Sequence, residues 1–169
     1  MISPLQRWGI VAGWLLVMVA VNWSIFQKEQ VLAAGLQVRL ALAPVDPRSL
    51  MQGDYMRLRY ALLSEVPIKQ LASEGQLVIR LDKQHVASFV GIYQPGQSLQ
   101  QGELLLHYRR YGRHVKLGAE SYLFEEGKAS LLSEAAYGEL RVASDGKSVL
   151  VGLLDQNFHY LDNLFKNQE

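Results

Sequence analysis

A mainly β fold is what this sequence predicts: one N-terminal transmembrane helix, then an antiparallel β-sandwich or small β-barrel with one or two short helices. Three observations carry that reading. Residues 8–26 form an apolar run without a single charged side chain. Beyond it, apolar and polar residues alternate in short stretches, as half-buried strands require. Turn signals built on Gly, Pro, Asn and Asp recur about every ten residues between those stretches, the spacing of a sandwich or barrel. The outer part, about 140 residues, is long enough to bury a core of its own.

The anchor comes first. At about 1.5 Å rise per residue, residues 8–26 reach about 28 Å, close to a hydrocarbon layer of about 30 Å. Trp8 and Trp23 stand near its two ends, where amphipathic rings favour the interface. Arg7 and the α-amino group precede it, whereas Lys28 on the far side is offset by Glu29. The positive-inside rule therefore places residues 1–7 in the cytoplasm, residues 8–26 across the inner membrane as a single pass, and the rest outside. A cleaved signal peptide is the competing reading, with Val31-Leu32-Ala33 as a small-residue site. The apolar run is longer than an ordinary h-region, and charged residues separate it from that site. Asn22-Trp23-Ser24 has the glycosylation pattern but lies inside the span.

Residues 27–34 read as a short linker or a continuation of the anchor helix, and residues 35–169 as the extracytoplasmic β-rich domain. Leu36, Val38, Leu40 and Leu42 alternate with Gln37, Arg39 and Ala41, a half-buried strand. A strand is expected over 55–63 and one or two helical turns over 67–72. Residues 76–82 and 86–93 read as a hairpin, followed by a turn at Gln94-Pro95-Gly96-Gln97. A second hairpin is expected from 103–109 and 114–118 around Arg110-Tyr111-Gly112-Arg113. Residues 122–124 make a short apolar element, and 128–136 are helix-compatible. The clearest hairpin joins 137–143 to 148–154 through Asp145-Gly146, a favoured turn pair. The tail from Asp155 reads as a short amphipathic helix folding back on the domain.

Composition excludes several function classes. Lys and Arg total 17 and Asp and Glu 16, so the chain is nearly neutral and lacks the basic excess of a nucleic-acid binder. The absence of cysteine removes disulfides, thiol nucleophiles and Cys-ligated zinc. His85, His107, His114 and His159 are the only histidines, and none lies in a metal-ligand spacing on a helix. His107 and His114 flank the second hairpin and would face each other across it. No motif indicates a metal or a cofactor. Ser49 with Lys69 is the one nucleophile pair worth weighing, because a serine needs a base to be activated. Arg109, Arg110, Arg113 and Lys116 gather near the tip of the second hairpin, and Glu120, Glu125, Glu126, Glu134 and Glu139 follow. The plain reading is two solvated faces. The sharper one is a basic tip against anionic headgroups or an acidic partner.

The stretch over 44–60 organises the domain. Pro44 and Pro47 bracket Val45-Asp46, and each proline pushes the residue before it out of the α region. Asp46 suits an Asx-turn. Gly53-Asp54 forms a corner, after which side chains alternate. Met56, Leu58 and Tyr60 then face the core, and Tyr55, Arg57 and Arg59 face water or a partner. As a structural set, Pro44, Asp46, Pro47, Arg48, Gly53, Leu58 and Tyr60 build the motif. Asp54, Tyr55, Arg57 and Arg59 are its candidate contact surface.

The string Gly53-Asp54-Tyr55-Met56-Arg57-Leu58-Arg59-Tyr60 resembles the motif that names the GDYXXLXY family of bacterial membrane-anchored proteins. Pro44-Val45-Asp46-Pro47-Arg48, Leu50, and a later Gly118-Ala119-Glu120-Ser121-Tyr122 with Glu126-Gly127 extend the likeness along most of the chain. The resemblance implies an anchored extracytoplasmic domain associated with a multi-span membrane protein, and it carries no catalytic residues to transfer. The expected role is a non-catalytic binding or accessory module. The alternatives are an envelope hydrolase using the Ser49–Lys69 pair and a small-ligand-binding barrel.

Overall fold

The computed structural model describes residues 4–43, 55–123 and 134–161. Helix α1 (Pro4–Ala34) is apolar on every side, and its side chains from Arg7 to Gln30 are exposed. A helix with no polar face has nothing to turn toward water. This one is long and apolar enough to cross a membrane. Asn22, the most polar side chain inside the run, donates to the Met18 carbonyl at 2.8 Å, so its amide is served by the preceding turn. Residues 27–34 continue the helix. It closes with the Gly35 amide on the Val31 carbonyl at 2.9 Å, and strand β1 (Leu36–Ala41) begins one residue later. The β domain is thus mounted on the helix without a spacer.

Two short 3-10 turns, Ala61–Ser64 and Ile68–Gln70, accompany β2 (Tyr55–Arg57), β3 (Glu74–Leu81), β4 (Ala87–Ile92), β5 (Glu103–Tyr111), β6 (His114–Lys116), β7 (Ser121–Leu123), β8 (Tyr137–Val142) and β9 (Ser148–Leu154). Among the described residues the strand pairings are antiparallel, and a single parallel bridge joins Arg39 to Val86. The strands form sheets in the orders β1-β8-β9, β2-β7 and β4-β3-β5-β6, one of them curled as a half-barrel. The sheets share one core, with Val38, Leu40, Leu77, Ile79, Leu106, Leu140 and Leu153 fully enclosed and Tyr60 and Tyr108 among them. At 25 cal/mol per Å² of apolar surface, each such leucine contributes on the order of 2 kcal/mol.

Three loops share one construction that the sequence spacing did not reveal. In residues 82–86, 143–147 and 155–159 the first residue's amide donates to the fifth residue's carbonyl, and the fourth residue's amide donates back to the first carbonyl. The fourth residue is left-handed each time: His85 (φ 61°), Gly146 (φ 85°) and Phe158 (φ 63°). This is a type I turn followed by a bulge residue, the form taken by the turn expected at Asp145-Gly146. Glycine is required at 146 for a second reason, since a Cβ there would meet the His107 amide nitrogen at 3.1 Å and the Leu105 carbonyl oxygen at 3.2 Å. Where His or Phe replaces Gly, an aspartate compensates. Asp82 Oδ1 accepts from the amides of Gln84 and Val86, and Asp155 Oδ1 from those of Asn157 and His159, all at 2.8 Å.

Other expectations need correction. The strand expected over 55–63 ends at Arg57, and Tyr60 makes only a single bridge to Leu42 before the chain curls into the first 3-10 turn. The curl sends Leu62 and Val66 into the core, and the Ser64 hydroxyl donates to the Ala61 carbonyl at 2.7 Å. The second hairpin is tighter than expected, with β5 running to Tyr111 and only Gly112 and Arg113 in the turn. From Asp155 the chain makes a turn and returns to bridge Leu154 with Tyr160, and it is not helical as far as residue 161. The helix expected over 128–136 lies outside the described residues apart from its last three, which are not helical.

Gly75 tests the packing directly. It pairs across the sheet with Tyr108, whose buried ring lies over it, and a Cβ would approach the Tyr108 hydroxyl to 2.8 Å and its Cζ to 3.0 Å. Gly75→Ala is expected to destabilise the domain by about 1–3 kcal/mol, the usual cost of overpacking a filled site. A urea melt of the purified protein reads this as a lower midpoint at unchanged slope. A midpoint equal to the parent's would mean that the Tyr108 ring moves freely aside.

Candidate functional site

The motif divides as its alternation requires. Leu58 and Tyr60 are buried, whereas Arg57 and Arg59 are exposed. Strand β2 pairs with β7 in the register Tyr55↔Leu123, Met56↔Tyr122 and Arg57↔Ser121. The ladder is extended by the Leu58 amide on the Glu120 carbonyl at 2.8 Å. At its end the Tyr60 hydroxyl donates to the Ala119 carbonyl. Burial first, and then the charge of Glu120, hold this phenol well above its ordinary pKa, so it stays a donor. The Glu120 carboxylate in turn accepts from the amides of Leu117 and Gly118. Two stretches that carry the family resemblance, the motif over 55–60 and the later segment over 119–123, are therefore laced together.

The Ala43 amide donates to the Arg59 carbonyl at 2.8 Å, so the chain entering residues 44–54 runs beside the chain leaving them. Pro44, Asp46, Pro47, Arg48, Ser49, Gly53 and Asp54 lie outside the described residues, as does the side chain of Tyr55. Lys69, weighed as a base for Ser49, is exposed on the second 3-10 turn. His107 does not face His114. It pairs with Gln76 across the strands and contacts Glu74 Oε1 through Nε2 at 3.0 Å, while His114 is opposite Tyr111. Among the described residues no group of three or more His, Cys, Asp or Glu is placed to hold a metal ion.

The largest departure from the sequence reading is Glu139. Counted above with a solvated acidic run, it is 1% exposed. Its Oε2 accepts from Gln37 Nε2 at 2.8 Å and faces Arg39 Nε at 3.7 Å; its Oε1 accepts from the Tyr160 hydroxyl at 2.6 Å. Arg39 donates from Nη1 to the Gln84 carbonyl at 3.0 Å and lies 4.5 Å from the Phe158 ring centre. The Tyr137 ring also packs against Phe158, with ring centres 4.9 Å apart. The tail turn lays Phe158 and Tyr160 over a face that Gln37, Arg39 and Glu139 would otherwise present to water. Burial and the Glu139 bond raise the Tyr160 phenol well above its usual range. No local signal marks Glu139, because the residues that cover it lie about twenty positions later.

A β domain seated directly on an apolar N-terminal helix long enough for a membrane span is the class that these features define. The chain belongs to the GDYXXLXY family: the family profile described as GDYXXLXY protein matches residues 17–153. No match exists among the curated proteins or the solved structures compared with it.

Proposed function

We propose that the protein is a non-catalytic accessory module of the cell envelope. It is held in the inner membrane by α1 with the N-terminus in the cytoplasm, and its β domain binds or stabilises a multi-span membrane protein on the outer side. The observation that carries this reading is the split within the motif. Leu58 and Tyr60 lock the segment into the core and onto 117–120, and Arg57 and Arg59 are exposed on the same segment. Two exposed guanidiniums on a fixed backbone suit bidentate recognition of carboxylates, since little rotamer freedom is lost per hydrogen bond formed. Asp54 and Tyr55 precede them in the motif and complete the proposed contact surface. Tethering adds effective concentration at a membrane partner without further contacts.

The test is a mild-detergent co-purification from native membranes, comparing the wild type with Arg57→Ala/Arg59→Ala. One multi-span protein is expected with the wild type and is lost with the variant, whose thermal melt stays with the parent's because both side chains are exposed. Recovery of the same protein with both chains would move the contact away from the motif. Recovery of none with either would remove the partner reading.

A further inference from the structure

We propose that a basic cavity between the outer end of α1 and the second hairpin holds the phosphate of an anionic lipid headgroup. The inference depends on α1 spanning the membrane but not on a protein partner. The cavity measures about 560 Å³, and Ser24, Lys28, His107, Arg109, Lys116 and Lys147 are among the residues lining it.

Its construction follows from the fold. Register places Arg109 opposite Lys116 on the β5–β6 hairpin, so both cations fall on one face. The β8–β9 turn is tied to the same strand by the His107 amide on the Gly146 carbonyl at 2.8 Å, and this brings Lys147 to the rim. Helix α1 closes the remaining side with Ser24 and Lys28, one turn apart.

Four full cations thus meet one lining carboxylate, Glu74. That carboxylate is already engaged by Arg109 at 3.3 Å and His107 at 3.0 Å, and these contacts hold its pKa below the ordinary range, the Arg109 hydrogen bond most of all. Lys147 has Asp145 at 2.8 Å. Lys116 rests over the Tyr111 ring at 5.4 Å, and neither it nor Lys28 has a carboxylate within ion-pair distance among the described residues. Among the described residues, Lys28 and Lys116 are thus the two cavity cations placed to take an anion.

Position selects a lipid over a soluble phosphate. The uncharged run ends at residue 26, so Ser24 and Lys28 straddle its edge. The roughly 6 Å of helix axis between them matches a headgroup layer of about 5–8 Å. On the membrane side of Ser24 the same helix face exposes Val21 and Val17, an apolar surface along which acyl chains can run. Tyr111, half-exposed at the cavity rim, has the amphipathic ring favoured at that depth.

Native mass spectrometry of the full chain in detergent tests this with short-chain phosphatidylglycerol, phosphatidylcholine of equal chain length, and inorganic phosphate as probes. Phosphatidylglycerol is expected to bind more tightly than phosphatidylcholine. Lys28→Gln/Lys116→Gln should weaken it about 20- to 30-fold, from roughly fivefold per lysine at an anionic surface. A charge-matched control, Lys69→Gln/Lys83→Gln, removes two exposed cations outside the cavity and its hairpin and should leave the affinity with the parent's. Equal binding of the two lipids, or an equal loss in the control, overturns the proposal. Displacement of phosphatidylglycerol by equimolar inorganic phosphate also overturns it, because the occupant would then be a soluble phosphate. Unchanged thermal melts in both variants separate loss of binding from loss of fold.

Discussion

Glu139→Ala is expected to destabilise the β domain by about 3–5 kcal/mol, the cost of leaving one partner of a buried ion pair uncompensated. Arg39 retains 20% of its side-chain exposure, which places the effect toward the lower end. The loss is spread over several contacts. Removing the carboxylate takes away the acceptor of both the Tyr160 hydroxyl and the Gln37 amide, and so one of the contacts that hold residues 155–161 over β8. Two readouts follow. The urea midpoint of the purified protein falls, and amide hydrogen exchange speeds up over 155–161 before it does over β3 and β5. Replacing both charges, Arg39→Met with Glu139→Leu, should cost less than Glu139→Ala alone, since apolar residues of similar volume need no compensation. If the double variant is the worse of the two, the pair is not what holds the tail.

Tyr60→Ala is expected to cost about 3–5 kcal/mol, the range for deleting a buried aromatic side chain. The ring is 2% exposed, and its hydroxyl is the bond between the motif segment and Ala119. Tyr60→Phe separates the two contributions. It retains the ring and leaves the Ala119 carbonyl without its partner, at about 1–3 kcal/mol. Equilibrium unfolding of the three chains measures both steps. A Phe variant as stable as the parent would show that the Ala119 carbonyl finds another donor. An Ala variant within 1 kcal/mol of the parent, well under the range for such deletions, would mean that the core closes over the gap. Because Arg57 and Arg59 ride on the same backbone, a loosened Tyr60 should also weaken whatever binds them, whereas Gly75→Ala, on a different sheet, should not.

Much of this architecture was legible in order along the chain. The apolar run required a helix, because an uncharged stretch of that length has its backbone bonds satisfied internally in no simpler way. Period-two alternation located β1, and it assigned Leu58 and Tyr60 inward and Arg57 and Arg59 outward, since side-chain direction in extended chain is a local property. The hairpins β3–β4, β5–β6 and β8–β9 lie close to where their turn residues placed them.

Tertiary structure decided the rest, for identifiable reasons. The Asp145-Gly146 pair marked the turn after β8, but not that Gly146 packs against the backbone of β5, a contact some forty positions away in sequence. The left-handed backbone at His85 and Phe158 is tolerated because an aspartate three residues earlier binds the turn, so no glycine announced it. Glu139 is buried because Phe158 and Tyr160 return over it, and Arg109, Lys116, Lys147 and Lys28 surround one cavity because strand register and the helix exit bring them there. Local pattern determined which residues form strands, which side chains turn inward and where the apolar helix lies. Which charges meet, and which are shielded from water, depended on contacts between distant segments, because Coulomb and desolvation energies follow distance in space and not separation along the chain.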